Sequence, residues 1–318
     1  MNILITGCAG QIGTELTLEL RKIYGNENVV ATDIKEAPEQ VMNSGPFEFL
    51  DVLDREAMRK VIKKYNINGI FHMAAILSAV GEKNPMLAWN VNMGGLINVL
   101  ELGREENVER ILCPSSIAAF GPETPVDNTP QETVLRPTTM YGITKVAGEL
   151  LSNYYVQKYG MDVRGLRYPG IISNATLPGG GTTDYAVAIY YDAVKYGKYT
   201  CFVSAETKLP MMYMPDCLKA TIDLFRADKK NLKRFVDYNV GSMSFDVTEL
   251  ANSIKKYIPD FEISYEPDYH QAIADSWPNS VDDSAARQEW GWQPGYDLDA
   301  MTRDMLNAVR KKYEKGEF

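Results

Sequence analysis

The chain opens on Met1-Asn2-Ile3-Leu4-Ile5-Thr6-Gly7-Cys8-Ala9-Gly10-Gln11-Ile12-Gly13, and this stretch decides the architecture. Residues 2–6 form an apolar strand, and residues 11–24 carry Ile12, Leu16, Leu18 and Ile23 at helical spacing. Between them stand Gly7, Gly10 and Gly13. Gly7 permits a sharp turn, Gly10 admits close approach of backbone N–H groups to a phosphate, and Gly13 allows tight helix–strand packing. The helix N-terminus behind the turn presents partial positive charge to an anion. Such a turn predicts a dinucleotide pyrophosphate site, with Gln11 and Ile12 beside it.

Working outward, strands are expected at 29–33, near 48–51, and at 69–73, 110–115 and 163–167. Helices are expected at 55–65, 88–104 and 144–159. Strands spaced by helices of this length pair in parallel through right-handed crossovers. The reading is an α/β fold, a doubly wound parallel sheet of the Rossmann kind, over residues 1–170. Beyond Pro169 the pattern loosens into a Gly-rich loop (177–184), helices at 185–196, 247–257 and 298–315, and a short strand at 238–241. Residues 171–318 are read as a smaller, irregular C-terminal lobe that binds substrate, with a return to the first domain near 237–258. The charged tail KKYEKGEF is expected to fray.

Of 318 residues, 45% are hydrophobic and 24% charged, as in a globular protein with a full core. A formal charge of −9 excludes a surface for nucleic acid or anionic membrane, which needs basic clusters. Cys8, Cys113, Cys201 and Cys217 are scattered and there are two histidines, so no metal is expected. The chain begins directly on a strand, and no apolar run reaches membrane-spanning length. A reducing, cytoplasmic setting is the expectation.

Asp33 ends the second strand, 20 positions beyond Gly13, where an acid grips adenosine ribose hydroxyls. A carboxylate there repels a 2′-phosphate, so NAD is favoured over NADP. Asp51 and Val52, after the third strand, offer a carboxylate and an apolar wall for adenine. Met73, Ala74 and Ala75 end the fourth strand with residues that let a cofactor backbone pass close, or that simply pack a crowded strand end.

Tyr141 and Lys145 are four apart at a helix start and share a face. An ammonium beside a phenol stabilises phenolate, so Tyr141 is a candidate base for a substrate hydroxyl losing hydride from the same carbon. Ser115 and Ser116 follow the strand through Cys113 at the sheet edge where the cofactor's reactive ring belongs. Either polarises a substrate oxygen or caps the next loop.

With TGCAGQIG, HMAA, Asn92 in NVNMGGL, PSSIAAFG, YGITK, LRYPG and YNVG in order, the chain resembles the extended short-chain dehydrogenase/reductase family over nearly its whole length. The resemblance makes Tyr141 the base, Lys145 its partner and Ser116, five before Gly121, the hydroxyl stabiliser. It assigns Asn92 to support of the active-site hydrogen-bond relay and sets Tyr168 and Pro169 against the nicotinamide. Most such members act on nucleotide sugars and carry an asparagine shortly after the Arg-Tyr pair; here Arg167-Tyr168 is followed by Pro169-Gly170. The runs LPGGGTTDYAVAIYYDAV and SWPNSVDDSAAR instead resemble the short-chain L-threonine 3-dehydrogenase branch. That implies oxidation of L-threonine by NAD to 2-amino-3-oxobutanoate, a step in threonine breakdown.

For such a substrate, the backbone N–H groups of Gly180 and Gly181 and the hydroxyls of Thr182 and Thr183 are candidate carboxylate donors. Asp184 is a candidate ammonium partner or an N-cap. Ser78 is a candidate contact from the other wall, and Trp277 covers the substrate methyl or packs in a core. The family resemblance further implies a homodimer through 88–104 and 144–159, with Leu96 and Tyr155 on the outer faces. Competing readings are a nucleotide-sugar epimerase or dehydratase, disfavoured by the missing asparagine, and a non-catalytic NAD-binding regulator, disfavoured by the intact Tyr-Lys pair.

Overall fold

The computed structural model describes residues 1–175 and 181–318. Its strands are β1 (Ile3–Thr6), β2 (Val29–Asp33), β3 (Phe47–Phe49), β4 (Gly69–His72), β5 (Arg110–Leu112), β6 (Ser115–Ser116) and β7 (Val163–Arg164). They continue as β8 (Leu166–Tyr168), β9 (Gly170–Ile172), β10 (Lys198–Cys201), β11 (Lys208–Tyr213), β12 (Tyr238–Asn239), β13 (Met243–Asp246) and β14 (Glu262–Tyr265). Helices in the first half are α1 (Gln11–Tyr24), α2 (Glu39–Met42), α3 (Arg55–Lys64), α4 (Ser78–Lys83), α5 (Pro85–Trp89), α6 (Gly95–Glu105) and α7 (Met140–Tyr159). The second half adds α8 (Tyr185–Tyr196), α9 (Met214–Arg226), α10 (Val247–Lys255), α11 (Tyr269–Ala274), α12 (Ser284–Trp290) and α13 (Leu298–Glu314).

Six strands form one parallel sheet in the order β3-β2-β1-β4-β5-β7. Strand order reverses between β1 and β4, and a crevice for ligand opens at the carboxyl ends there. All four residues of β1 are buried, because both sheet faces are covered. On one face Leu16, Leu20 and Phe225 pack on Ile3, Ile5 and Phe71. On the other, Val61, Val99 and Tyr155 pack on Leu4, Ile70 and Ile111.

The expected strands at 110–115 and 163–167 are each broken. Pro114 has no N–H to give the ladder, and a Cβ on Gly165 would sit 2.6 Å from the carbonyl oxygens of Cys113 and Val236. The chain resumes one step along as β6 and β8, which pair in parallel as Ser115↔Arg167 and Ser116↔Tyr168, with β12 beyond. This offset puts both serines at the crevice edge. A separate sheet is formed by β13, β11 and β9, and β10 pairs with β14. The apolar cluster that holds Leu209, Met211 and Phe245 also takes in Ile117, Ala118 and Phe120 from the segment after Ser116.

Four further expectations are corrected. The helix expected at 88–104 is α5 and α6 joined by a π-helical turn at Asn90–Gly94. Helix α7 begins at Met140, not at residue 144, because Thr139 Oγ1 accepts the Gly142 N–H at 3.1 Å. The C-terminal run does not fray: α13 reaches Glu314, and the Phe318 ring meets Tyr191 edge-on with centroids 4.8 Å apart. Leu96 and Tyr155 are also not outward. Both are buried, and the Tyr155 hydroxyl donates to Glu101 at 2.6 Å.

Candidate active site

The glycine turn is shaped by close backbone approach. Gly7 has φ +73°, and a Cβ on it would lie 2.6 Å from the Ala74 nitrogen at the end of β4. A Cβ on Gly13 would stand 2.1 Å from the Gly7 carbonyl oxygen. Gly10 is the N-cap of α1; no side chain caps the helix and its first turn holds no acid. Its terminal N–H groups are therefore left for an anion. Beside them Gln11 Nε2 is buried without a hydrogen-bond partner among the described residues. Gly7, Gly10, Gln11, Ile12 and Gly13 line one wall of a cleft of about 240 Å³.

Asp33 stands behind the glycine turn and does not itself line the cleft. Its Oδ2 accepts Ala9 N–H at 2.9 Å and its Oδ1 accepts Ile34 N–H at 2.8 Å, so the carboxylate is fixed at the turn. The Leu50 N–H donates to the Asp33 carbonyl at 2.9 Å, which sets Asp51 and Val52 next along the sheet edge. Neither lines the cleft: Asp51 Oδ1 accepts the Leu53 N–H, and Val52 is buried under Gly95. Met73 and Ala75 do line it, whereas Ala74 lies beneath Gly7.

Across the cleft stand Tyr141 and Lys145, from the first two turns of α7. Lys145 Nζ donates to the Pro114 carbonyl at 2.9 Å and lies 5.3 Å from the Tyr141 ring centroid. Ser116 Oγ accepts Ala118 N–H at 3.2 Å, which leaves its proton to give. Ser115 differs: its hydroxyl donates to Glu149 Oε1 at 2.5 Å. Glu149 is also held bidentately by Arg167, at 2.9 and 2.8 Å. Ser115 is thus tied to a buried ion pair, and Ser116 holds the hydroxyl available to a substrate.

Asn92 lies in the π-helical turn, where its Oδ1 accepts Ile76 N–H at 2.8 Å and its Nδ2 donates to Ile76 O and Thr144 Oγ1. It lines a chamber of about 50 Å³ behind Lys145, with His72 and Glu149. Burial, with Lys145 nearby, pushes the His72 pKa down to about 3, so the imidazole is neutral against Thr6 Oγ1 at 2.8 Å. The Tyr168 ring and Pro169 border the cleft. The Tyr168 phenol is bonded to Thr221, and burial drives its pKa well above the ordinary value.

Ser78, Gly181, Thr182, Thr183, Asp184 and Trp277 complete the lining. Thr182 Oγ1 is buried with no hydrogen-bond partner among the described residues. The Gly181 N–H is not free for a ligand, because it donates to Asp184 Oδ2 at 2.7 Å. Asp184 precedes α8 without a side-chain cap; its carboxylate turns back to Gly181 instead. Gly180 lies outside the described residues.

A profile of the NAD dependent epimerase/dehydratase family matches residues 3–241. The chain belongs to that family. It is 52% identical to an uncharacterized epimerase/dehydratase of Staphylococcus haemolyticus, over 98% of both chains. Among solved structures it is similar to an L-threonine dehydrogenase from Clostridium difficile, at 52% identity, 98% coverage of each chain and a TM-score of 0.96. It is also similar to a monomeric L-threonine 3-dehydrogenase from a metagenome, at 48% identity, 97% and 99% coverage and a TM-score of 0.94.

NAD is the family's cofactor, and the residues here fit it. The uncapped start of α1, the buried Gln11 amide and glycines that admit no Cβ make a cradle for a diphosphate, and Asp33 stands where a ribose belongs. Among the described residues no group of three or more His, Cys, Asp or Glu is placed to hold a metal, and no helix is long and apolar enough to cross a membrane. Sequence reasoning missed Leu77, Pro114, Ile117, Gly170 and Ile171 in the lining. Gly170 left a signal in LRYPG: a Cβ there would meet Thr183 Cγ2 at 2.8 Å. The others are ordinary apolar residues whose role depends on the fold.

Proposed function

We propose that this enzyme oxidises L-threonine at Cβ to 2-amino-3-oxobutanoate, reducing NAD to NADH and releasing a proton. The observation carrying the reading is the Thr182 hydroxyl, buried without a partner among the described residues in the lining of the same cleft as Tyr141 and Ser116. A buried hydroxyl left unbonded costs free energy unless a ligand satisfies it. The roughly half-identical threonine dehydrogenases support the choice of substrate.

Bound NAD supplies the hydride acceptor. Tyr141 takes the proton of the threonine hydroxyl through its phenol oxygen as the Cβ–H bond gives up its electron pair. Lys145, anchored on Pro114, holds positive charge beside that ring. Ser116 donates to the same substrate oxygen, and Ser115 fixes the strand through Glu149. Thr182 and Thr183 face the carboxylate, Asp184 supplies negative charge for the ammonium, and Ser78 and Trp277 close the opposite side over the methyl group. The missing asparagine after Arg167-Tyr168 argues against a sugar diphosphate as substrate. The test is formation of NADH at 340 nm from L-threonine, with Tyr141→Phe expected to lose about a thousandfold in kcat while still binding NAD. Turnover of a UDP-sugar in place of threonine would overturn the reading.

We also propose a homodimer. The outward faces of α5, α6 and α7 expose Met86, Leu87, Ile97, Ile143, Leu150 and Tyr154, an apolar surface a second copy would cover. Sedimentation is expected to give twice the 35.7 kDa chain mass; a monomer mass would remove the proposal.

A further inference from the structure

The substrate edge of the cleft is fastened by residues remote from it in sequence. Ser173, fully buried after β9, donates to Glu15 Oε1 at 2.5 Å, and its own oxygen accepts the Ala175 N–H at 3.0 Å. Glu15 stands on α1, two residues beyond Gly13. From the other side, Lys312 Nζ on α13 donates to the Ala175 carbonyl at 2.9 Å and reaches the Tyr191 hydroxyl at 3.3 Å. The Tyr191 hydroxyl donates in turn to the Asn174 carbonyl at 3.2 Å. Asn174 Nδ2 donates to the Tyr213 phenol, which donates to Asp304 on α13 at 2.7 Å.

Tyr191 belongs to α8, the helix that follows Thr182, Thr183 and Asp184. Residues 173–175 and α8 therefore flank the substrate edge in the chain, and both are held by Lys312. Phe318 packs on Tyr191 over the same joint. Burial raises the Glu15 pKa while Ser173 and Lys312 oppose that rise. Burial lowers the Lys312 pKa against the pull of Glu317 and Glu15. These groups are partly desolvated, where hydrogen bonds to charge are worth most.

We propose that Glu15 and Lys312 are positioning residues for the substrate: one from the cofactor-binding helix, one from the C-terminal helix, they clamp Ser173–Ala175 and α8 so that Thr182 and Thr183 face Tyr141. The proposal rests on the threonine reading of this cleft for its kinetic consequence only; the clamp itself is a property of the free protein. Neither residue lines the cleft, and neither takes part in the chemistry.

Glu15→Gln and Lys312→Met in the full chain, with Lys312→Arg as the conservative control, give the test. Without ligand, amide exchange in peptides covering 170–175 and 185–191 is expected to quicken about tenfold in Glu15→Gln and Lys312→Met, with peptides covering 29–33 and 69–72 unchanged. At saturating NAD, the L-threonine KM is expected to rise about tenfold while kcat and the NAD Kd stay within about twofold, and Lys312→Arg is expected to recover most of the loss. Unchanged exchange in both variants overturns the clamp whatever the substrate is. A KM and an NAD Kd that rise together also overturn it, by placing the effect in the cofactor site. Quickened exchange in variants of an enzyme inert toward threonine upholds the clamp and removes the threonine reading instead.

Discussion

Two glycine-bearing turns run into helices on opposite walls of one cleft. At Gly7–Gly13 the turn leads into α1 with no side-chain cap and no acid in the first turn, so bare N–H groups and the helix dipole meet whatever binds. At Gly181–Asp184 the turn leads into α8, and Asp184 has already taken the Gly181 N–H with its own carboxylate. The first arrangement suits a dianion such as a pyrophosphate. The second places negative charge at the helix start, which the dipole stabilises internally and which, on our reading, meets an ammonium. On our reading the two turns thus sort a dinucleotide to one wall and a zwitterion to the other. The difference rests on one acidic side chain.

The contrast is broken most severely at Gly13. A Cβ there would stand 2.1 Å from a backbone oxygen that cannot move without unravelling the turn. Gly13→Ala is expected to cost about 3 kcal/mol or more in stability and to weaken NAD binding at least about a hundredfold, read by thermal melting and NAD titration. At Gly181 a Cβ would meet only the far end of the Asp184 carboxylate, at 3.1 Å, and the backbone needs no left-handed conformation. Gly181→Ala is therefore expected to stay within about 1 kcal/mol of wild type in the same melts. Equal losses at both positions would mean that the two turns are not built on different principles.

The cofactor turn was legible because steric necessity leaves its mark on residue type: only glycine fits at Gly7 and Gly13, and the helix after them begins where the apolar period begins. The π-helical turn at Asn90–Gly94 was not, because the apolar spacing runs on unbroken across it. Only the fold reveals that Asn92 turns its amide onto Ile76. Strands β10, β11 and β14 and helix α9 were also missed. β10 pairs with β14 in the register Lys198↔Glu262, so its strand character depends on a partner far along the chain and not on local pattern. The tail carries five charges in KKYEKGEF, and the sequence alone reads as solvated. Lys312 and Phe318 find partners in Ala175 and Tyr191 that no periodicity points to. At the site, residue types made Tyr141, Lys145 and Ser116 candidates, with Ser116 already preferred by its spacing to Gly121; geometry adds that Ser115 is tied to Glu149.

The smallest expected effect discriminates most finely, because its two readouts have opposite signs. Thr182→Val exchanges a hydroxyl for a methyl of nearly the same shape. In the free protein that hydroxyl is buried with no partner among the described residues, so removing it is expected to leave stability unchanged or raise it by up to about 1 kcal/mol. If the hydroxyl exists to meet a substrate carboxylate, the same change is expected to raise the L-threonine KM about tenfold with NAD affinity untouched. A purely structural threonine would give the reverse, a loss of stability with unaltered kinetics. A residue that costs the fold something and benefits only the ligand is what a binding site requires of at least one of its members. On our reading Thr182 is that residue at the substrate wall, whereas at the cofactor wall the same work is shared between backbone N–H groups and the Gln11 amide.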